Sequence, residues 1–206
     1  MRKILLVEGP DDEHVFKGLC GHYDLPWLDE IKQHGGYVTL LDAFPVRLKE
    51  SDVEALGVVI DADENLSSRW DAISNRLREK GYEVPRSPDP TGLVLNPPKS
   101  SMLPRVGVWI MPNNQVPGIL EDFIRELVPP GDGLFIYAEK CIDSIEPPLK
   151  KFRALDLPKV RMHTWLAWQA EPGRPLGQSI TMRVLDADLP KAKEVVAWLE
   201  RLFYTP

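Results

Sequence analysis

The sequence predicts an α/β fold, a mostly parallel sheet flanked by helices, and three observations carry that expectation. Short apolar runs such as "KILLV" and "ALGVVI" alternate with longer stretches of helical periodicity. The runs are apolar at every position, the pattern of strands covered on both faces. They end in Gly or in carboxylates, and functional groups of open parallel sheets collect at the carboxyl ends of the strands. With 206 residues and 43% hydrophobic content, one domain with a real core is expected. Its core should span about 1–130, with a helical embellishment over about 131–206.

Taken in order, "KILLVEG" reads as a buried strand stopped by Gly9. Pro10 suits an early helical position, and Asp11, Asp12 and Glu13 suit the positive end of a helix, with Val15, Phe16 and Leu19 as its apolar face. "EIKQHGGY" holds a second short strand, ended by Gly35 and Gly36. "VTLLDAFPVRLKES" is helical, with a kink or break at Pro45. "ALGVVIDAD" is the next strand. A helix follows in "SSRWDAISNRLREKG", capped by Ser67, packed through Trp70, Ile73 and Leu77, and stopped at Gly81. Residues 82–105 form a Pro- and Ser-rich insertion in which "GLVL" pairs with "RVGVWIMP" as a hairpin. "NNQVPGILEDFIREL" gives a loop and a helix with Glu121 and Asp122 near its start. Helices are also expected in "GLFIYAEKCIDSIEPPLKKF", "LPKVRMHTWLAWQ" and "LPKAKEVVAWLERLF", and a turn-rich loop in "AEPGRPLGQSI".

The formal charge of −6 does not draw nucleic acid by itself, because phosphate contacts rest on local Lys and Arg. A bound divalent cation with a local basic patch can reverse the field at one site. Cys20 and Cys141 stand far apart in apolar runs and read as buried thiols of a reducing compartment. The apolar stretch in "MRKILLVEG" is too short for a signal peptide or a membrane span. A cytoplasmic protein with no membrane partner is expected.

The chemistry concentrates in acidic residues. Glu8 closes an apolar strand, where a carboxylate is costly without a partner or a metal. "GVVIDADEN" crowds Asp61, Asp63 and Glu64 behind another strand. Asp61 and Asp63, two apart in extended backbone, point to the same side and make a half-shell for a hard divalent ion. Each cluster also has a plain reading: Asp11 to Glu13, and Glu121 with Asp122, as helix-dipole partners, and "DADEN" as a solvated loop or cap. Jointly these readings weaken, since converging carboxylates repel unless one is protonated or a cation neutralises them. The histidines and cysteines show no metal-ligand spacing.

"LLVEGPDDEHVF" and "VVIDADE" resemble the first two motifs of Toprim domains, and "EGPDDE" with "PGILEDF" is most similar to their OLD-nuclease-like branch. "VGVWIMPNN", "GILEDFI" and "HTWLAWQAEPGRPLGQSI" resemble a bacterial family of stand-alone Toprim-like proteins of unknown function, and that likeness covers most of the chain. The resemblance implies a Toprim-like, Rossmann-like fold. It makes Glu8 a metal ligand or general base, Asp12 the acidic partner of the first motif, and Asp61 and Asp63 the metal-binding pair. It sets Glu121, with Asp122 beside it, at a second metal site. Lys151 or Lys159 would supply a phosphate-binding, catalytic cation. The cofactor would be Mg²⁺ or Mn²⁺. The substrate would be nucleic acid, held by basic residues such as Arg69, Arg76, Lys99, Arg105, Lys150, Lys151 and Arg153, and the setting defence against phage or plasmid DNA. OLD nucleases carry an ATPase domain ahead of Toprim. This sequence starts at the Toprim strand and has no Gly-x-x-x-x-Gly-Lys loop, so a motor ATPase or defence partner would come from another chain. An oligomer is compatible with all of this. The alternative is a catalytically idle metal-binding Toprim module that binds a partner protein, for which six tryptophans and the Pro-rich insertion would suit a surface, although tryptophan in helices is more often core.

Overall fold

The computed structural model describes residues 1–26 and 28–205. Its centre is a five-stranded sheet of β1 (Arg2–Val7), β2 (Glu30–Gln33), β3 (Val53–Asp61), β4 (Leu93–Leu95) and β5 (Arg105–Met111). The order is β2-β1-β3-β5-β4. The first three strands and β5 are parallel; β4 runs antiparallel to β5, as the hairpin reading of the Pro-rich segment requires.

The helices are α1 (Pro10–His22), α2 (Tyr37–Arg47), α3 (Leu66–Glu79), α4 (Leu120–Arg125), α5 (Gly133–Asp143), α6 (Leu157–Ala167), α7 (Leu176–Thr181) and α8 (Pro190–Phe203). The sheet is covered on both faces, so its strands had to be apolar throughout. Ile4, Leu6, Val58 and Ile60 turn to α2 and α3, and Leu5, Val7, Val59 and Trp109 to the other helices. On that second face Gly57 and Gly107 make room for α8. A Cβ at Gly107 would lie 2.4 Å from Leu202 Cδ2, and one at Gly57 would lie 3.1 Å from the same atom. The helices after residue 130 therefore share one core with the sheet.

Three local expectations change. Pro45 neither breaks nor ends α2, because the Leu41 carbonyl that loses its amide partner accepts instead from Arg76 Nε at 3.2 Å. The cap of α3 is Asn65, not Ser67: its Oδ1 accepts from the Ser68 amide at 2.9 Å. The turn-rich "AEPGRPLGQSI" contains α7, which lies against α1. Trp70, Trp109, Trp165 and Trp198 are core residues and Trp168 is 42% exposed, so a tryptophan surface is not what these side chains form. Trp27 lies outside the described residues. Cys20 and Cys141 are free and only partly buried. Among the described residues no helix is long and apolar enough to cross a membrane.

The strand order sets the position of any site. The chain leaves β1 for β2 on one side and returns to β3 on the other. The connections diverge there, and the carboxyl ends of β1 and β3 open a crevice between them.

Candidate functional site

Three segments meet at that crevice. Glu8 follows β1, and its Oε1 accepts from the Asp61 amide at 2.8 Å. Asp61 is the last residue of β3, and its Oδ1 accepts from the Leu120 amide at 2.9 Å. Two carboxylates thus tie β1 to β3 and β3 to the start of α4. Asp12, 7% exposed, accepts from the Gly9 amide at 3.0 Å, and Asp122 accepts from the Ile119 amide at 2.9 Å. Each lies in the first turn of its helix and accepts the amide that precedes it, in keeping with the helix N-terminal reading of these two. Glu121, its neighbour, is 4% exposed.

The loop after β5 brings α4 to this place. Asn114 is 3% exposed with φ of +63°, and its Oδ1 accepts from the Ile110 amide at 2.7 Å. Beyond it, Asp63 and Gly118 exchange amide-to-carbonyl bonds of 2.8 Å in both directions. That bridge overturns the expectation for Asp63. The strand ends at Asp61, and Asp63 takes φ of +49°, so the two carboxylates do not share one side of an extended chain. The Asp63 side chain is instead exposed and paired with the Arg69 guanidinium, which lies 3.5 Å from the centre of the Tyr37 ring.

The electrostatics follow from burial. Desolvation pushes the Glu8 carboxyl up to about 7; the Asp61 amide and Arg69 oppose this, and Asp12 and Asp63 add to it. Desolvation pushes Asp12 up to about 6, with repulsion from Glu121 contributing. Asp61 is raised well above the ordinary range, by burial first and then by Asp12, Glu8, Glu121 and Asp63. Burial also raises Glu121, against the charges of Lys159 and His163 on α6.

Glu8, Asp12, Asp61 and Glu121 therefore form one repelling group assembled from three segments. In kind they suit a hard divalent cation: all donors are oxygen, the set is negative, and the second oxygens of Glu8 and Asp61 carry no hydrogen bond among the described residues. As the side chains stand, no three His, Cys, Asp or Glu among the described residues are grouped to hold a metal ion. The Glu8, Asp12 and Asp61 carboxylates hold backbone amides, and closing on an ion would take side-chain rotation.

Beside the group lies a cleft of about 810 Å³, lined by Asp63, Asn65, Ser68, Arg69, Arg153 and Lys159 among others. Lys159 belongs to this lining, whereas Lys151 is exposed and does not. The other proposed basic residues disperse. Arg76 serves the α2 carbonyl, Arg105 donates to the Thr205 carbonyl, and Lys99 lies in the loop before β5, at the amino end of that strand. Tyr37, Asn114 and His163 were not singled out by sequence. Only the "GGY" before α2, which frees the chain to start a helix beside the crevice, hinted at the first.

A model of a family described as a protein of unknown function (DUF3226) matches residues 2–204. The chain belongs to that family. No curated protein and no solved structure matches it.

Proposed function

We propose that this chain is a Toprim-type phosphodiesterase, a nuclease or phosphodiester-transfer protein acting on nucleic acid with Mg²⁺ or Mn²⁺. The observation that carries the reading is the convergence of four mutually repelling carboxylates, Asp12 and Glu121 buried and Glu8 and Asp61 partly buried, at the switch point of the sheet. Stability alone gives no reason to bury like charges, and a cation removes the repulsion. Glu8, Asp12, Asp61 and Glu121 would hold the ion, with Asp63 and Asp122 at its margin. When bound, such ions lower the pKa of an attacking water and stabilise the leaving oxygen. Glu8, raised to about 7, is suited to accept a proton near neutral pH. Lys159 and Arg153 line the cleft where a phosphate backbone would lie. A cytoplasmic setting, a role in defence and a partner ATPase belong to the same reading and rest on the Toprim resemblance alone.

The test is cleavage of labelled single- and double-stranded DNA and RNA with Mg²⁺, Mn²⁺ or EDTA. Cation-dependent cutting by the wild type, reduced on the order of 100-fold or more in Glu8→Ala and Asp61→Asn, is expected. No cutting by folded protein under any condition sinks the enzyme. The reading then passes to a catalytically idle metal-binding module with a protein partner.

A further inference from the structure

The cleft beside the carboxylates has a volume of about 810 Å³. Pockets of about 300–1,000 Å³ enclose most of a small molecule. The charges of the lining are close to balanced. Arg69 is paired with Asp63, and Arg153 with Asp156 at 2.8 Å. Lys159 has no ion-pair partner among the described residues, and the acids Glu64 and Asp122 line the same cleft. Long nucleic acid is held by a surplus of Lys and Arg along its path, and this lining carries none. Other basic side chains are engaged elsewhere: Arg76 and Arg105 hold backbone carbonyls, and Lys150 and Lys151 stay outside the lining. Apolar groups stand among the charges. Pro117, Ile119, Leu155 and Pro158 all face the cleft, and Leu155 is 53% exposed.

We propose that the cleft takes a short substrate whole: a dinucleotide or a fragment of similar length, with Arg69 and Lys159 on its phosphates and the apolar side chains against its bases and sugars. The inference rests on the phosphodiesterase reading above and narrows its substrate. Arg69 does not have to leave Asp63. A guanidinium has five N–H donors and the carboxylate is bonded through Nη2, so donors remain for a phosphate oxygen. The Tyr37 ring, with its centre 3.5 Å from the guanidinium carbon, holds that group in place. Lys159 supplies a point charge with no fixed direction. The base faces of a short single strand are free to meet apolar side chains, whereas in a duplex they are stacked on one another. Outside the cleft the net charge of −6 opposes further phosphates, so added nucleotides bring no added affinity.

The experiment is fluorescence anisotropy with the full chain near neutral pH in EDTA. Three labelled probes are used, each as DNA and as RNA: a 5′-phosphorylated dinucleotide, a long single strand, and a duplex of the same length. Wild type is compared with Arg69→Ala, Arg69→Lys and Lys159→Ala, each checked for folding by circular dichroism. The dinucleotide and the long strand should bind within about threefold of each other, once the strand's many overlapping registers are counted. The duplex should bind more weakly than either. The log–log salt slope for both single strands should be about 1–2, the release expected from about two phosphates. Arg69→Ala and Lys159→Ala should each weaken dinucleotide binding by about fivefold, the worth of a partly exposed ion pair, and Arg69→Lys should recover part of the loss. A long strand or duplex bound more than about tenfold tighter than the dinucleotide, with a slope of about 3 or more, overturns the short substrate and leaves the phosphodiesterase reading intact. Unchanged dinucleotide binding in both alanine variants overturns the cleft as its place. No binding of any probe by the folded chain overturns the inference, and cation-dependent cutting then decides the reading separately.

Discussion

Glu8 is a partly buried acid whose pKa is raised from 4.5 to about 7 by desolvation, and that sets a sign. Between those values the folded chain binds more protons at this residue than the unfolded chain. Stability therefore falls as pH rises through the window. Below about pH 4.5 Glu8 costs nothing; above about 7 the full cost is present. Asp12, raised from 3.8 to about 6, acts the same way over a lower window. In EDTA, urea unfolding should give lower stability at pH 8 than at pH 5. Glu8→Gln keeps an acceptor for the Asp61 amide and removes the charge. It should stabilise the protein at pH 8 by up to roughly 3 kcal/mol and flatten the slope. A slope unchanged in Glu8→Gln would assign the pH dependence to other groups. Glu8 and Asp61 were legible in the sequence because each ends an apolar run, where a carboxylate needs a reason. The direction of the Asp63 side chain is not legible, because one left-handed residue turns it from the extended course, and nothing in "DADEN" announces it.

At the scale of elements, legibility tracked hydrophobic pattern and failed where a distant partner decides. The Pro-rich hairpin and the last helix follow from apolar periodicity. The continuity of α2 does not, because Arg76, 31 positions after Pro45, supplies the donor that the proline lacks. Arg76→Met should leave the Leu41 carbonyl short of a partner and cost about 1–3 kcal/mol. In a Pro45→Ala background the helix regains its own amide, and Arg76→Met should cost less; denaturant unfolding of the four proteins reads that coupling. Equal costs in both backgrounds would reject it. The helix α7 was hidden among turn residues for a similar reason: glycine suits loops, but here it suits contact. A Cβ at Gly177 would fall 2.1 Å from the His14 carbonyl oxygen, and one at Gly18 would fall 2.8 Å from the Gly177 carbonyl. Backbone, not a flexible side chain, blocks the space. Gly177→Ala should cost about 3 kcal/mol or more, seen as a lowered melting temperature. A variant that melts like the wild type would show that α1 and α7 part easily.

On the scale of the whole molecule, alternation of strands and helices was readable but strand order was not. Order depends on the side to which each connection crosses, and composition carries no record of that. The order makes β1 and β3 neighbours with diverging connections, and so brings Glu8 to Asp61 across 53 residues. A cation bound there should stabilise the entire fold, because it binds a site that exists only when the three segments meet. At a concentration about 100 times its Kd the gain is about 2.7 kcal/mol, or roughly 5–10 °C for a chain of this size. Protons compete for the same oxygens. With Glu8 raised to about 7 and Asp12 to about 6, a fixed Mn²⁺ concentration should raise the melting temperature more at pH 8 than at pH 5.5. Binding near neutral pH should release protons, measurable by calorimetry in two buffers of different ionisation heat. In Asp61→Asn, which keeps the acceptor for the Leu120 amide, most of the shift should vanish while the metal-free melting temperature holds or rises. A thermal shift that is larger at pH 5.5, or that persists in Asp61→Asn, would place the ion elsewhere on the surface. The buried carboxylates would then act only as ties between strand ends.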